Sequence, residues 1–428
     1  MEIEELLSDL IQIQSVNPPG GETEVATYLK RLFDDYQVPS EIIESGPGRG
    51  NFLACLGEGD KSLLYLSHTD VVPVSEGWSF SPFSGEIRDG FVHGRGALDC
   101  KGLVAAEAYA VLQLASSARL KGRLIFAATA DEEAGGKFGV KYLVENYKDK
   151  IMADFAINEG GAGPSQIGDK TCHFIQIGEK GVCRMVLKTG GLSSHGSLPM
   201  LGDNAVMKMA DSLKRLSAYR PAPILLPEVR QMVQALAGLE GFNEDINEEN
   251  LDKVIHNLKD RTSAAYLTAI TRMTVSPNVV HGGTKVNIVP DSCEAEIDIR
   301  VMPGQDKEYI MNELGQIIDN ATMEITGYHE PTFSTSDSKY YRLIADTLQE
   351  SVRDSIFLPI ISSGSTDSKH LREIGIPCYG IAVTTLNPDS MMAQSVHGKD
   401  EKIDIDSLRS KSDSLISLAR RYLGDEAS

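Results

Sequence analysis

The chain of 428 residues has no C-x-x-C pair among its six cysteines (Cys55, Cys100, Cys172, Cys183, Cys293 and Cys378), which argues against a thiolate zinc site and against a disulfide framework. A reducing cytoplasm is the expected setting. No uninterrupted apolar run is long enough to span a bilayer, so a soluble protein without a membrane partner is expected. Positive charge is scarce: 41 Lys and Arg against 61 Asp and Glu give a formal net charge of −20, which opposes binding to nucleic acid or an anionic membrane. Tandem repeats and low-complexity tracts are missing. The glycines of G-R-G at Gly94 and Gly96 lack the G-x-G-x-x-G spacing of a dinucleotide site. The first residues are acidic where a secretory leader would be basic, and Leu6, Leu7, Leu10 and Ile11 recur at helical spacing, so they read as a first helix.

What the chain does have is length for two domains and an alternating pattern. From residue 1 to about 180, brief apolar runs of strand length (L-L-Y-L from Leu63, L-I-F-A-A from Leu124, F-A-I from Phe155) alternate with helical stretches such as the Ala-rich segment from Lys101. This predicts an α/β fold, a mixed sheet flanked by helices with at least some strands parallel. Residues 181–332 change character. A strand from Gly181, an amphipathic helix from Asp203, strands at V-N-I-V-P and C-E-A-E-I-D-I-R-V, a helix from Lys307 and M-E-I-T-G-Y give the order of a two-layer, ferredoxin-like α+β unit. Met207, Met209 and Met311 read as its core. Residues 220–261, rich in acids and prolines with one weak helical signal, read as a further insertion. Residues 333–428 resume the alternation and are expected to complete the first domain's sheet.

Acids and histidines cluster at the ends of the predicted strands: His68 and Asp70 in S-H-T-D, Asp99 in G-A-L-D, Glu132 and Glu133 in A-D-E-E, Glu159 in I-N-E-G, and His397 in V-H-G. Carboxyl ends of strands are where α/β sheets place their sites. Carboxylates converging in a small volume repel one another unless a cation is present. Oxygen and imidazole donors without thiolate suit zinc, cobalt or manganese. Two ions about 3.5 to 4 Å apart need a bridging carboxylate plus an acid and a histidine or its equivalent on each. Asp99 as bridge, His68 and Glu159 on one ion, and Glu133 and His397 on the other satisfy that count. Adjacent acids project differently, so one of Glu132 and Glu133 is free to act as a base, and spacing alone does not say which. Asp70, two residues past His68, is placed to orient the imidazole.

The segments S-H-T-D-V-V-P, P-F-S-G-E-I-R-D-G, G-R-G-A-L-D-C-K-G, A-T-A-D-E-E-A-G-G and S-V-H-G-K-D-E, in that order, closely resemble the co-catalytic dizinc amidohydrolases of the acetylornithine deacetylase, succinyl-diaminopimelate desuccinylase, aminoacylase and carboxypeptidase family. The resemblance implies a zinc-peptidase-type sheet, two Zn2+ per subunit, and Glu132 as the general base. It makes the inserted domain a lid and dimerisation domain of a homodimer, in which His195 of G-L-S-S-H-G-S-L-P stabilises the oxyanion in the partner subunit's site. It also assigns substrate binding to Asn287 of V-N-I-V-P, to Arg300 of D-I-R-V-M-P, whose forked donors suit a carboxylate, and to Gly364 of S-G-S-T-D. Glu159 lies in N-E-G-G, where the desuccinylases carry E-P, which draws the expectation toward peptidases and aminoacylases acting on dipeptides, short peptides or N-acyl amino acids. A biosynthetic deacylase for acetylornithine or succinyl-diaminopimelate is the alternative within the class. A non-catalytic metal or peptide binder is the alternative outside it.

Overall fold

The structure is a computed structural model that describes residues 1–424 apart from 118, 168–169, 260, 353–354, 383–391 and 393–394. The chain forms two compact units. The first comprises Met1–Ile177, Phe333–Ile360 and Thr366–Ser428, and the second Gly178–Thr332 with Ile361–Ser365. Among the described residues no helix is long and apolar enough to cross a membrane.

The first unit is built on a mixed sheet flanked by helices, as the alternating pattern requires. Its middle strands run in the order Gly122–Thr129, Lys61–His68, Phe155–Asn158 and Cys378–Gly380, all parallel to one another, with Gly50–Leu56 and then Ser40–Glu44 added antiparallel at one side and Lys170–Glu179 antiparallel at the other. The Lys61–His68 strand is buried from its second residue onward because both of its faces are covered. Leu64 and Leu66 pack with Val140, Leu143 and Leu371 on one face, while on the other the Tyr65 hydroxyl donates to the Leu415 carbonyl of the helix Ile405–Leu423 at 2.5 Å. The helix Lys101–Ser117 is apolar nearly all round, and its alanines and glycine let neighbours approach closely on every side. The parallel strands therefore end together, and the segments that follow them share one rim.

The second unit holds an antiparallel sheet in the order Thr274–Gly282, Ser292–Val301, Gly181–Gly190, Thr322–His329. In Ser292–Val301 burial alternates strictly: Cys293, Ala295, Ile297, Ile299 and Val301 face the helices Ala205–Ala218 and Lys307–Gly315, which leaves Asp298 and Arg300 on the opposite face. Two expectations need correction here. V-N-I-V-P contributes only the short strand Ile288–Val289, and the missing strand is Thr274–Gly282. Pro277 and Asn278 hid it; a proline is tolerated because the strand lies at the sheet's edge and bulges between Pro277 and Val279. Met207 is not core but 66% exposed, since it lies two residues and about 200° around the helix from the buried Met209. Within residues 220–261 the weak helical signal forms the helix Pro227–Leu239, joined by Leu251–Asn257 and, beyond, Arg261–Ile270; the first two bury Val229, Met232, Val233, Leu236, Val254 and Ile255. The buried Lys180 ammonium secures the end of this helical layer by donating to the carbonyls of Ala269 (2.6 Å) and Arg272 (2.7 Å).

Leu64 is fully buried in the strand that ends at His68. Leu64→Ala should lower unfolding stability by about 2–5 kcal/mol through lost burial and a residual cavity, read as a reduced midpoint in urea.

Candidate metal centre and active site

Three parallel strands of the first unit deliver the cluster. His68 is the last residue of Lys61–His68, Glu159 follows Phe155–Asn158 directly, and Glu132 and Glu133 open a 3-10 turn just past Gly122–Thr129. Asp99 and His397 come from loops instead. The structure brings these groups together around the Asp99 carboxylate: Oδ1 lies 3.0 Å from His68 Nε2, and Oδ2 lies 3.0 Å from His397 Nε2. His68 Nε2 is also 3.6 Å from Glu159 Oε1, and His397 Nε2 is 3.2 Å from Glu133 Oε1. The arrangement is thus two histidine–acid pairs joined by one shared carboxylate.

Asp70 does more than face the imidazole. His68 Nδ1 lies closest to the Asp70 backbone carbonyl, at 3.0 Å, with the carboxylate Oδ1 at 3.4 Å. The Asp70 carboxylate meanwhile accepts the backbone N–H groups of Glu132 and Glu133, each at 3.1 Å, and the Asn17 amide at 2.8 Å. A single buried acid therefore fixes both the first histidine and the turn that presents the acid pair. Asp131, in a left-handed conformation at φ 69° just before that turn, is held by Asn17 (3.1 Å), by the Phe138 N–H (3.0 Å) and by Arg49 (3.4 Å). Asn17, Arg49 and Asp131 were not singled out from the sequence. They carry no periodicity, and the turn residues around them, P-P after Asn17, G-P-G before Arg49 and E-E-A-G-G after Asp131, read as loops rather than as supports of a site.

The protonation chemistry shows a volume that demands positive charge. Burial works to raise Asp99, yet its hydrogen bonds to His397 and His68 hold it well below the ordinary aspartate value. Those same bonds to Asp99 and Glu133 lift His397 to about 10. Burial would lower His68, but Cys100, Glu159, Asp70 and Asp99 around it together keep it well above the ordinary histidine value. Glu132 is pushed well up, first by burial and then by the charge of Glu159. Glu159 is also raised, chiefly by burial. Asp367 of S-G-S-T-D, another acid missed from sequence, is raised to about 7 by burial.

The donor set fits divalent cations. His68, Asp99 and Glu133 each present one ligand atom, all within 4.8 Å of one another, as do His68, Cys100 and Glu159. Glu133 Oε1 is buried and faces the His397 imidazole at 3.2 Å, so the two present their donor atoms to a common volume. Cys100 is better read as structural: burial pushes its thiol up, and Sγ both accepts the His68 N–H and donates to the His68 carbonyl, each at 3.2 Å.

The four remaining expected residues all belong to the second unit and form two pairs. His195 ends the short strand Ser194–His195, which pairs with Ile288–Val289, and Asn287 directly precedes the latter, with the Gly196 N–H donating to the Asn287 carbonyl at 2.8 Å. His195 Nδ1 accepts the Ser197 N–H at 3.1 Å, so the neutral ring carries its hydrogen on Nε2. Arg300 is clamped by Asp298 (Nε to Oδ1, 2.7 Å) and donates to the Ser363 carbonyl at 3.3 Å, one residue before Gly364. Arg184 also pairs with Asp298, at 3.0 Å, so two guanidinium groups flank one carboxylate.

A family model described as Peptidase family M20/M25/M40 matches residues 64–421, a span that contains the whole cluster. A probable succinyl-diaminopimelate desuccinylase of Staphylococcus aureus (strain MRSA252) is 29% identical over 379 residues, covering 85% of this chain and 84% of that protein. Among solved structures, an M20 family metallo-carboxypeptidase from Sulfolobus solfataricus has a TM-score of 0.75 at 21% identity, covering 99% of both chains. Human carnosine dipeptidase 1 has a TM-score of 0.65 at 18% identity, covering 97% of this chain and 96% of that one. The two structural likenesses concern the fold.

With His397 at about 10 in the cation-free protein, its imidazole is protonated at pH 7 and a cation must displace that proton. Affinity should therefore rise with pH from 6 to 9, about tenfold per unit for each proton released. Calorimetric zinc titrations in buffers of different ionisation enthalpy should show proton release at pH 7; heats independent of the buffer would contradict it.

Proposed function

The chain belongs to peptidase family M20/M25/M40, and on that premise we propose that it is a two-cation hydrolase of amide and peptide bonds next to a free carboxylate, with dipeptides, short peptides or N-acyl amino acids as substrates. The observation that carries the reading is the Asp99 carboxylate, each of whose oxygens lies 3.0 Å from a different histidine. His68 and Glu159 would hold one ion, His397 and Glu133 the other, with Asp99 between them; nitrogen and oxygen donors favour zinc, with cobalt or manganese as substitutes. Such ions supply Lewis acidity toward the scissile carbonyl and lower the pKa of water.

The chain's own residues supply the rest. Glu132 receives the proton of the attacking water and returns it to the departing nitrogen; burial and the neighbouring Glu159 raise its proton affinity in the direction a base working near neutrality requires. Asp70 holds the Glu132 backbone at 3.1 Å, so the base is positioned through its main chain while its carboxylate stays available. We assign Arg300 to the substrate's carboxylate, since the Asp298 clamp fixes the plane of its guanidinium. His195, with its hydrogen on Nε2, is assigned to donation toward the oxyanion. Asn287 and Gly364 are assigned to the substrate's polar atoms.

A homodimer fits the surface around His195. Leu192, Leu198, Met200, Leu201, Val286 and Ile288 are exposed on the two short strands and their flanks, and the edge strand Thr274–Gly282 offers unpaired backbone together with Val279 and Val280. A second copy of this chain would cover that face and seat His195 in the interface. The 29% identity to a probable desuccinylase favours a second reading, removal of a succinyl group from a diamino acid, which the same chemistry performs.

Glu132→Gln should cut kcat by about 10²- to 10⁴-fold while metal content measured by mass spectrometry stays unchanged; full activity would remove Glu132 as the base. A panel of dipeptides, N-acyl amino acids, acetylornithine and succinyl-diaminopimelate should show highest kcat/KM for the first two classes, whereas preference for the last two would select the deacylase reading. Sedimentation should show a dimer, and a fully active monomer would refute the assignment of His195.

A further inference from the structure

The five donors of the centre are held in two different ways. His68, Glu159 and Glu133 follow strands that hydrogen-bond to one another, so the sheet itself sets their spacing. Asp99 and His397 lie on no strand. Asp99 sits between the short strand Phe91–His93 and the helix Lys101–Ser117, while His397, left-handed at φ 56°, precedes the strand Lys402–Asp404. The two short strands pair through Lys402 with His93 and Ile403 with Val92, but this ladder stops before it reaches either donor.

Glu401 continues the connection where the ladder ends. Its side chain is fully buried and accepts four hydrogen bonds, all from the Asp99 segment. Oε2 receives Arg95 Nη1 (2.6 Å) and the Gly96 N–H (3.1 Å), and Oε1 receives the N–H groups of Leu98 (2.8 Å) and of Asp99 itself (3.1 Å). The Glu401 carbonyl accepts the Gly94 N–H at 2.8 Å. Arg95, equally buried, turns its other nitrogen back to donate to the carbonyl of Gly398, the residue after His397, at 2.8 Å. Trp78 covers the guanidinium with its ring centre 5.2 Å away, and the neighbouring Ser79 N–H donates to Asp400 at 2.8 Å. Two buried charges thus tie a segment at residues 94–99 to one at 395–401, about three hundred residues later in the chain.

We propose that Glu401, locked by Arg95, is a positioning residue that sets the spacing of Asp99 and His397 and thereby governs the affinity of the second cation of the pair. The inference rests on the two-cation reading. Its selectivity follows from the difference in how the donors are held. Loss of the clamp frees the two loop-borne donors, while the three carried by the sheet keep their places, so one cation position has only the shared Asp99 loosened and the other has both Asp99 and His397 loosened. A carboxylate that served stability alone would weaken both cation positions in parallel with the fold.

The test is a calorimetric zinc titration of chelator-stripped full-length protein, with circular dichroism and a thermal melt on each sample. Wild type should take up two equivalents. In Glu401→Gln, whose amide turns a donor toward groups that are themselves donors, the second equivalent should weaken by about 10- to 100-fold and the first by clearly less, since only Asp99 of its three donors is affected. Arg95→Lys, which keeps the charge but loses the two-way fork, should show the same selective loss to a smaller degree, and it decides the matter if Glu401→Gln does not fold. Wild-type affinity at both positions, or equal weakening of both together with a lowered melting temperature, would overturn the proposal. A wild type that binds fewer than two equivalents would instead overturn the two-cation reading beneath it.

Discussion

Mutual repulsion among buried carboxylates is the constraint on which the rest of the first unit depends. Asp70, Asp99, Glu132, Glu133 and Glu159 converge with two histidines, Asp70 and His68 buried, the other acids partly buried and His397 exposed, and anions so crowded must be neutralised. Without a cation the histidines do this by holding protons, which is why His397 is lifted to about 10. In the proposed reading a bound divalent cation would replace that borrowed charge with a fixed one and leave the imidazoles neutral, as ligands must be. The features that make the cation-free cluster costly are those that make the loaded one chemically useful.

Geometry is protected by separate layers of support. Asp70 accepts two backbone N–H groups at the start of the acid turn, so the position of Glu132 is a main-chain property and does not depend on its own carboxylate being engaged. Behind Asp70 stand Asn17 and Arg49, the latter also bonded to the buried Glu22 at 2.6 Å, so that the N-terminal segment buttresses the active turn. Such charge-assisted bonds among buried groups are worth about 1.5–3 kcal/mol each, and their larger service is to leave each side chain of the cluster only one way to point. In the second unit, strict alternation along Ser292–Val301 performs a similar task by sending Arg300 and Asp298 to the face away from the core.

The strand-borne part of the cluster was legible in the sequence because His68, the acid pair and Glu159 come at the ends of strands buried on both faces, whereas Asp99 and His397 come from loops. A run such as L-L-Y-L has no polar interruption, so His68 and Asp70 stand out at its end, and the order of the motifs identified the family. The supporting residues were hidden for the opposite reason. Glu401 lies in the polar stretch G-K-D-E, where nothing distinguishes a fully buried acid from a solvated one, and its partner Arg95 lies among glycines more than three hundred residues away. Arg49 and Asn17 are tied to the site by tertiary contacts alone. The edge strand Thr274–Gly282 escaped notice because Pro277 and a bulge disrupt its alternation. Met207 was assigned inward although its spacing from Met209 turns it to the surface.

The central claim is that the Asp99 carboxylate is shared by two cations. Anomalous diffraction at the zinc edge from crystals of the zinc-loaded protein tests it most directly. The account predicts two peaks about 3.5–4 Å apart, one on each side of Asp99, the first beside His68 and Glu159 and the second beside His397 and Glu133. A single peak, or two peaks that do not share Asp99, would contradict it.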